Sequence, residues 1–214
     1  NGKKWSISEV FQGGVMMNRQ WMKAGVCICA LAAMGLMAGC GSDKGSATQS
    51  AAPAVSSQEK KSLKVACIAT YPPFVYKDKA GDIVGFDVDI TKAVAKEMGV
   101  ETTYESMPFD QLVPALVENK ADIAVAACDM TQDRADKVNF SNTYYSKENV
   151  AILARKEDNS IKGPEDLSGK TVAVEKGTVY VETAKQYGAN VKEYDYHDQL
   201  IKAVADNEAD ALIL

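Results

Sequence analysis

Five polar residues cluster at the end of an apolar run: Cys128, Asp129, Thr131, Asp133 and Arg134 follow Ile123–Ala127 (IAVAA). A run that short and apolar reads as a strand buried in an α/β sheet. Open α/β sheets bind their ligands just past the C-terminal ends of such strands. Thr131 is a good N-cap for a following helix, which places Arg134 in the first turn, among exposed backbone N–H groups. A guanidinium there suits a carboxylate, because its planar fork meets two oxygens at once. The same spacing also describes a solvated surface arginine.

The elements that would position these residues lie just upstream. Asp110 reads as the N-cap of a short helix whose apolar stripe is Leu112, Val113, Leu116 and Val117. Asn119-Lys120 makes the turn into the strand. This stretch has a second copy. Phe109–Val125 (FDQLVPALVENKADIAV) and His197–Ile213 (HDQLIKAVADNEADALI) share seven of 17 positions at a constant offset of 88. A repeat of that kind, each copy closing a βαβ unit, predicts two like-built α/β lobes with a cleft between the C-terminal ends of their strands.

The chain has 214 residues, enough for one or two domains with a proper core. Its first 40 residues carry a net charge of +3 against a whole-chain −5, so the rest carries −8. A surface that acidic argues against nucleic acid as a partner. Ala24–Ala38 is an uncharged run of 15 residues behind Arg19 and Lys23. It is short for a spanning helix, which needs about 20 residues, and fits the apolar region of a secretory signal. Met37-Ala38-Gly39-Cys40 resembles the lipobox of bacterial lipoproteins, with Met where Leu is usual. That resemblance implies cleavage before Cys40 and a lipid on Cys40. The expected organisation is a translated leader over 1–15, where Gln12-Gly13-Gly14-Val15 is what a purine-rich ribosome-binding sequence would encode, and a lipoprotein signal peptide over 16–39. Residues 40–62 then form a lipidated cysteine and flexible tether, 63–152 lobe one, and 153–214 the hinge and lobe two. Cys67 and Cys128 stay in the folded part, as buried thiols or as a disulfide; the sequence leaves both open.

In lobe one, Leu63–Ala69 reads as a strand, and Tyr71-Pro72-Pro73-Phe74 as a stiff aromatic turn. Asp87 or Asp89 is placed to begin a helix with Ile90, Ala93, Val94 and Met98 on one face, stopped by Gly99. Asn149–Ala154 reads as the crossover between lobes, and Thr171–Glu175 as the first strand of lobe two, followed by a Lys176–Val179 turn into a helix.

YPPFVYKDKAGDIVGFDVDITKAVAKEMG, FDQLVPAL and MTQDRADKVNFSNTYY together resemble the extracytoplasmic solute-binding proteins of polar amino-acid ABC transporters. The resemblance implies an α/β, two-lobed periplasmic-binding-protein fold (type II, Venus-flytrap), incomplete at the C-terminus. It implies a cleft that closes on one free polar amino acid, with permease subunits of an ABC transporter as partners and the membrane reached through the N-terminal lipid. Carried over by position, Tyr71 and Phe109 would pack on the ligand side chain. Arg134 would grip its α-carboxylate, and the Ala127 carbonyl would approach its α-ammonium. Thr178 and the Val179 N–H would complete the carboxylate site from lobe two. Asp129 stands where the family usually has Ser or Thr, so it either reaches the ammonium, favours a cationic side chain or organises a turn.

Two other functions fit the scaffold: a dehydratase, and the sensor module of a receptor. A dehydratase needs a placed acid or base, and the only histidine, His197, sits at a helix start where capping or surface roles are expected. No zinc spacing, nucleophile elbow or phosphate loop is present in the sequence, so neither cofactor nor metal is expected. A lipid anchor is unusual for a sensor. The repeat also places Leu214 opposite Ala126. By the family resemblance, a second-lobe acid for the α-ammonium, the return crossover and a closing strand of lobe one would follow it, so a fragment with an uncovered sheet edge is expected.

Overall fold

The computed structural model describes residues 13–19, 62–146 and 150–214. In chain order, lobe one holds β1 (Gly13–Met17), β2 (Ser62–Cys67) and a small hairpin sheet of β3 (Thr70–Tyr71), β4 (Val75–Lys77) and β5 (Ile83–Val84). Helix α1 (Phe86–Met98), β6 (Glu101–Ser106), α2 (Phe109–Val117), β7 (Ile123–Asp129), α3 (Gln132–Ala135) and β8 (Asn139–Phe140) follow. Lobe two holds β9 (Ile152–Ala154), a 3-10 turn (Pro164–Leu167), β10 (Thr171–Glu175), α4 (Tyr180–Gln186), β11 (Asn190–Tyr194), α5 (His197–Ala205) and β12 (Ala211–Ile213).

The main sheets run β6-β2-β7-β1-β8 and β11-β10-β12-β9. In each, three parallel strands come from one βαβαβ unit, and an antiparallel strand lies beside the third: β1 against β7, and β9 against β12. Side chains alternate across each sheet. In lobe one Leu63, Val65 and Cys67 join Val88 and Ala95 of α1 on one face. Ala66 and Ile68 join Leu112 and Leu116 of α2 on the other. Lobe two repeats the arrangement, with Leu167, Val172, Val174 and Ala184 on one face and Ala173, Leu200 and Ala203 on the other.

Sequence patterning assigns no strand to Gly13–Met17, which straddles the expected boundary between leader and signal. Here it fills the place beside β7. Met16 is fully buried in the α2 face of the core. Asn18 anchors the far end, its amide donating to the Leu116 carbonyl at 2.9 Å and to Asn119 Oδ1 at 2.7 Å. The sequence predicts an uncovered sheet edge in lobe one without specifying which; the β7 edge is covered by β1. The rest of the expected signal from Gln20 on, Cys40, and the tether as far as Lys61 lie outside the described residues. Among the described residues no helix is long and apolar enough to cross a membrane.

Two local expectations need correction. Helix α1 starts at Phe86, not at Asp87 or Asp89, because Gly85 makes the turn at φ 129°. A Cβ there would lie 2.3 Å from the Phe74 carbonyl oxygen. Its buried face is Asp87, Val88, Thr91 and Ala95, while Val94 and Met98 are exposed. A threonine serves in that face because its hydroxyl meets the Asp87 and Val88 carbonyls and, at 2.7 Å, the Tyr104 hydroxyl. Helix α2 starts two residues early, after Pro108, so Asp110 lies in its first turn rather than capping it.

Candidate functional site

Strand β7 does not run straight to its end. Its pairing with β1 slips between Gly14 and Met16, and Ala127 takes φ 42°, a left-handed conformation that costs energy for a residue with a Cβ. Bulges of this kind re-aim backbone beside functional sites. Asp87 holds this one in place. Fully buried in the first turn of α1, it accepts the Ala127 N–H on Oδ2 at 2.8 Å and the Tyr144 hydroxyl on Oδ1 at 2.8 Å. Burial raises the Asp87 carboxyl above its ordinary pKa, and the hydrogen bonds from Ala127 and Tyr144 oppose that rise.

Past β7, Thr131 caps α3 and accepts the Arg134 N–H at 3.4 Å. Arg134 is buried, not a solvated surface residue. Its Nη1 donates to the Asp129 carbonyl at 2.8 Å and to Cys128 Sγ at 3.3 Å, and its Cζ stands 5.0 Å from the Phe109 ring centroid. Its Nη2 crosses to lobe two and donates to the Gly177 carbonyl at 2.9 Å. Backbone and sulfur acceptors thus occupy the fork.

The lobes touch around this guanidinium. Lys176 Nζ meets Asp110 Oδ2 at 2.9 Å, and the Tyr71 ring stacks on His197 with centroids 4.3 Å apart and planes at 14°. Gly177 allows the approach: at φ 77° it sits where a Cβ would lie 2.9 Å from Asp110 Cβ. The space left between the lobes is about 20 Å³, room for a water but not for an amino acid, so a ligand enters only when the lobes part. Tyr71, Phe109, Ala127, Asp129 and Arg134 line it from lobe one and Thr178 from lobe two. Val179 is not among its lining residues; Thr178 Oγ1 donates to the Glu175 carbonyl at 2.7 Å.

Four residues outside the sequence-derived set also line the space: Ala126, Glu175, Tyr180 and His197. His197 does begin α5, but it is buried rather than on the surface. Its Nδ1 lies 3.3 Å from Glu175 Oε1. Glu175 is buried at the end of β10, where burial raises its pKa against the lowering effect of His197. The available signal was an acid closing an apolar strand (TVAVE) at the binding end of the sheet. Cys67 and Cys128 are free and buried, which pushes both thiols up to about 12.

Two βαβαβ lobes facing each other across a buried arginine define a two-lobed binding protein of the periplasmic type. The family of bacterial extracellular solute-binding proteins, family 3, matches residues 63–213, and the chain belongs to it. It is 33% identical to the arginine-binding extracellular protein ArtP of Bacillus subtilis over 72% of this chain and 61% of that one. It is 38% identical to the ABC transporter arginine-binding protein 1 of Escherichia coli, over 60% of this chain and 51% of the other. The arginine-binding protein of T. maritima in its holo form superposes with a TM-score of 0.68 at 37% identity, covering 72% of this chain and 68% of that structure. An ancestral amino-acid-binding protein described as a precursor of cyclohexadienyl dehydratase superposes equally, at 0.68 and 35% identity, covering 72% of this chain and 68% of the other. The chain spans between about half and three fifths of the length of these two curated relatives.

Proposed function

We propose that this protein is a lipid-anchored, extracytoplasmic receptor that captures a free polar amino acid in the interlobe cleft and delivers it to the permease of an ABC transporter. The observation that carries the reading is the buried Arg134 fork at the mouth of the bulge on β7, engaged by carbonyls that a carboxylate would replace when the lobes reopen. In this reading the ligand's α-carboxylate binds Arg134, with Thr178 and the Val179 N–H from lobe two. The α-ammonium meets the Ala127 carbonyl and Asp129, and Tyr71 and Phe109 face the side chain. Binding of this kind needs no chemical step, and the ligand leaves unchanged. The relatives that bind arginine make arginine a first ligand to test.

Calorimetric titration of the full chain with the common amino acids tests the proposal. Saturable binding of at least one, recovered intact, supports it; binding of none, or conversion of the ligand, overturns it. The anchor is tested separately. Cys40→Ser is expected to move the protein from the membrane fraction to the soluble extracytoplasmic fraction, since lipid supplies all the membrane affinity. Cleavage before Cys40 would also remove β1 from the lobe-one sheet. A membrane-bound protein whose measured mass retains Met16 would overturn the proposed processing.

A further inference from the structure

Lobe two places one buried carboxylate, Glu175, in the cleft, beside His197 of the same lobe. Glu175 ends β10 and is 3% exposed. Matching the pairing of β2 on β7 with that of β10 on β12 makes Ile68 its lobe-one counterpart, and Ile68 is fully buried. An apolar side chain therefore serves the architecture at this position. Glu175 Oε1 has no hydrogen-bond partner, and neither does His197 Nδ1, although the two lie 3.3 Å apart.

No lysine or arginine pairs with Glu175 among the described residues. Lys176, next in the chain, turns to Asp110. Arg134 is held by Cys128, Asp129 and Gly177. Among the described residues His197, at 3.3 Å, is the one side chain beside it able to carry positive charge. A carboxylate taken out of water is strongly unfavourable until a cation pairs with it. Tyr71 and Tyr180 line the same space, and aromatic faces attract cations.

We propose that Glu175 is the receptor for a cationic side chain, guanidinium or ammonium, on the amino acid that Arg134 holds. This rests on reading the cleft as an amino-acid site. When the lobes part, the Tyr71–His197 stack opens and the ligand's cation enters in place of Tyr71, beside Glu175 and the His197 that flanks it from the same lobe. Each charge of a basic amino acid then has a partner: the α-carboxylate at Arg134, the side-chain cation at Glu175, and the α-ammonium at the β7 bulge.

The test titrates the full chain and its Glu175→Gln variant with L-arginine, L-lysine and L-citrulline, the last a neutral isostere of arginine. The parent is expected to bind arginine or lysine at least roughly 30-fold tighter than citrulline, the lower bound for a desolvated charge pair. Glu175→Gln should bring that ratio within about threefold. The arginine and lysine arms identify the cation as guanidinium or ammonium. A parental ratio below about threefold overturns the proposal without any variant, and so does a folded Gln variant that keeps the parental ratio. Binding of neutral or acidic amino acids alone overturns it while leaving the amino-acid reading intact. If no amino acid binds, the underlying reading fails as well.

Discussion

The two lobes repeat one design, and comparing them separates residues that hold the fold from residues that face the cleft. Asp122 Oδ2 accepts the Lys64 N–H at 2.8 Å, tying the start of β7 to β2; Asp210 Oδ2 accepts the Thr171 N–H at 2.8 Å, tying β12 to β10. Asn119 and Asn207 turn the chain at φ 59° and 61°. Leu112 and Leu200 are fully buried, and Ala115, Ala203, Ala121 and Ala209 nearly so. These are positions where the repeat is identical. Two of the differences bear on the cleft: Phe109 and His197, at the head of each repeated helix, both line it, and Glu175 lines it where lobe one has the fully buried Ile68. At these positions identity marks architecture, and the contrast between Ile68 and Glu175 marks the cleft.

The largest effects should come from the shared core. Leu112→Ala and Leu200→Ala each delete a fully buried side chain and should each cost about 2–5 kcal/mol, read as matched shifts in denaturant midpoint. A lobe that tolerates the change would break the equivalence. Asp87 has no such twin. Asp87→Asn sets an amide donor in competition for the place of the carboxylate at the Ala127 N–H, and should cost about 1–3 kcal/mol with faster amide exchange at Ala127. Unchanged exchange there would free the bulge from Asp87.

The Ile68–Glu175 contrast carries a pH signature. Burial raises the Glu175 pKa above the ordinary 4.5, so the folded state binds its proton more tightly than the unfolded chain. Its unfavourable contribution is absent below the ordinary value and grows as pH rises towards the folded pKa. Glu175→Gln should flatten that part of the melting-temperature profile, and Ile68→Val should leave its pH dependence as in the parent. The smallest effects belong to the paired aspartates. Asp122→Ala and Asp210→Ala should each cost about 1 kcal/mol, and a large disparity in chemical denaturation would show that one lobe uses its aspartate differently.

Much of this design was legible in the sequence. The repeat announced two lobes because leucine, alanine, asparagine and aspartate recur at positions where the fold has no alternative. Thr131 was legible as a cap because its role depends on a neighbour three residues on. The spacing left Arg134 either a carboxylate receptor or a surface arginine, since the groups that bury its guanidinium include Phe109 and Gly177, far off in the chain. The buried face of α1 was misread. Val94 and Met98 look like a core stripe, and only the Tyr104 hydroxyl and nearby carbonyls make Thr91 acceptable inside. Glu175 and His197 were missed because their partners are distant in the chain: Tyr71 reaches His197 only when the lobes meet. β1 was illegible for a further reason. Five residues reading GGVMM carry no alternation, and their place is set by the open edge of β7 rather than by their own pattern.

The central claim is that the two lobes close on an amino acid whose carboxylate replaces the carbonyls now filling the Arg134 fork. Calorimetric titration of the full-length Arg134→Ala protein with whichever amino acid binds the parent best tests it most directly. A loss of roughly 2–5 kcal/mol in binding free energy is predicted, the usual cost of removing one partner of a desolvated charge pair, with Arg134→Lys recovering only part because an ammonium lacks the fork. An Arg134→Ala protein that binds within about threefold of the parent would contradict the account.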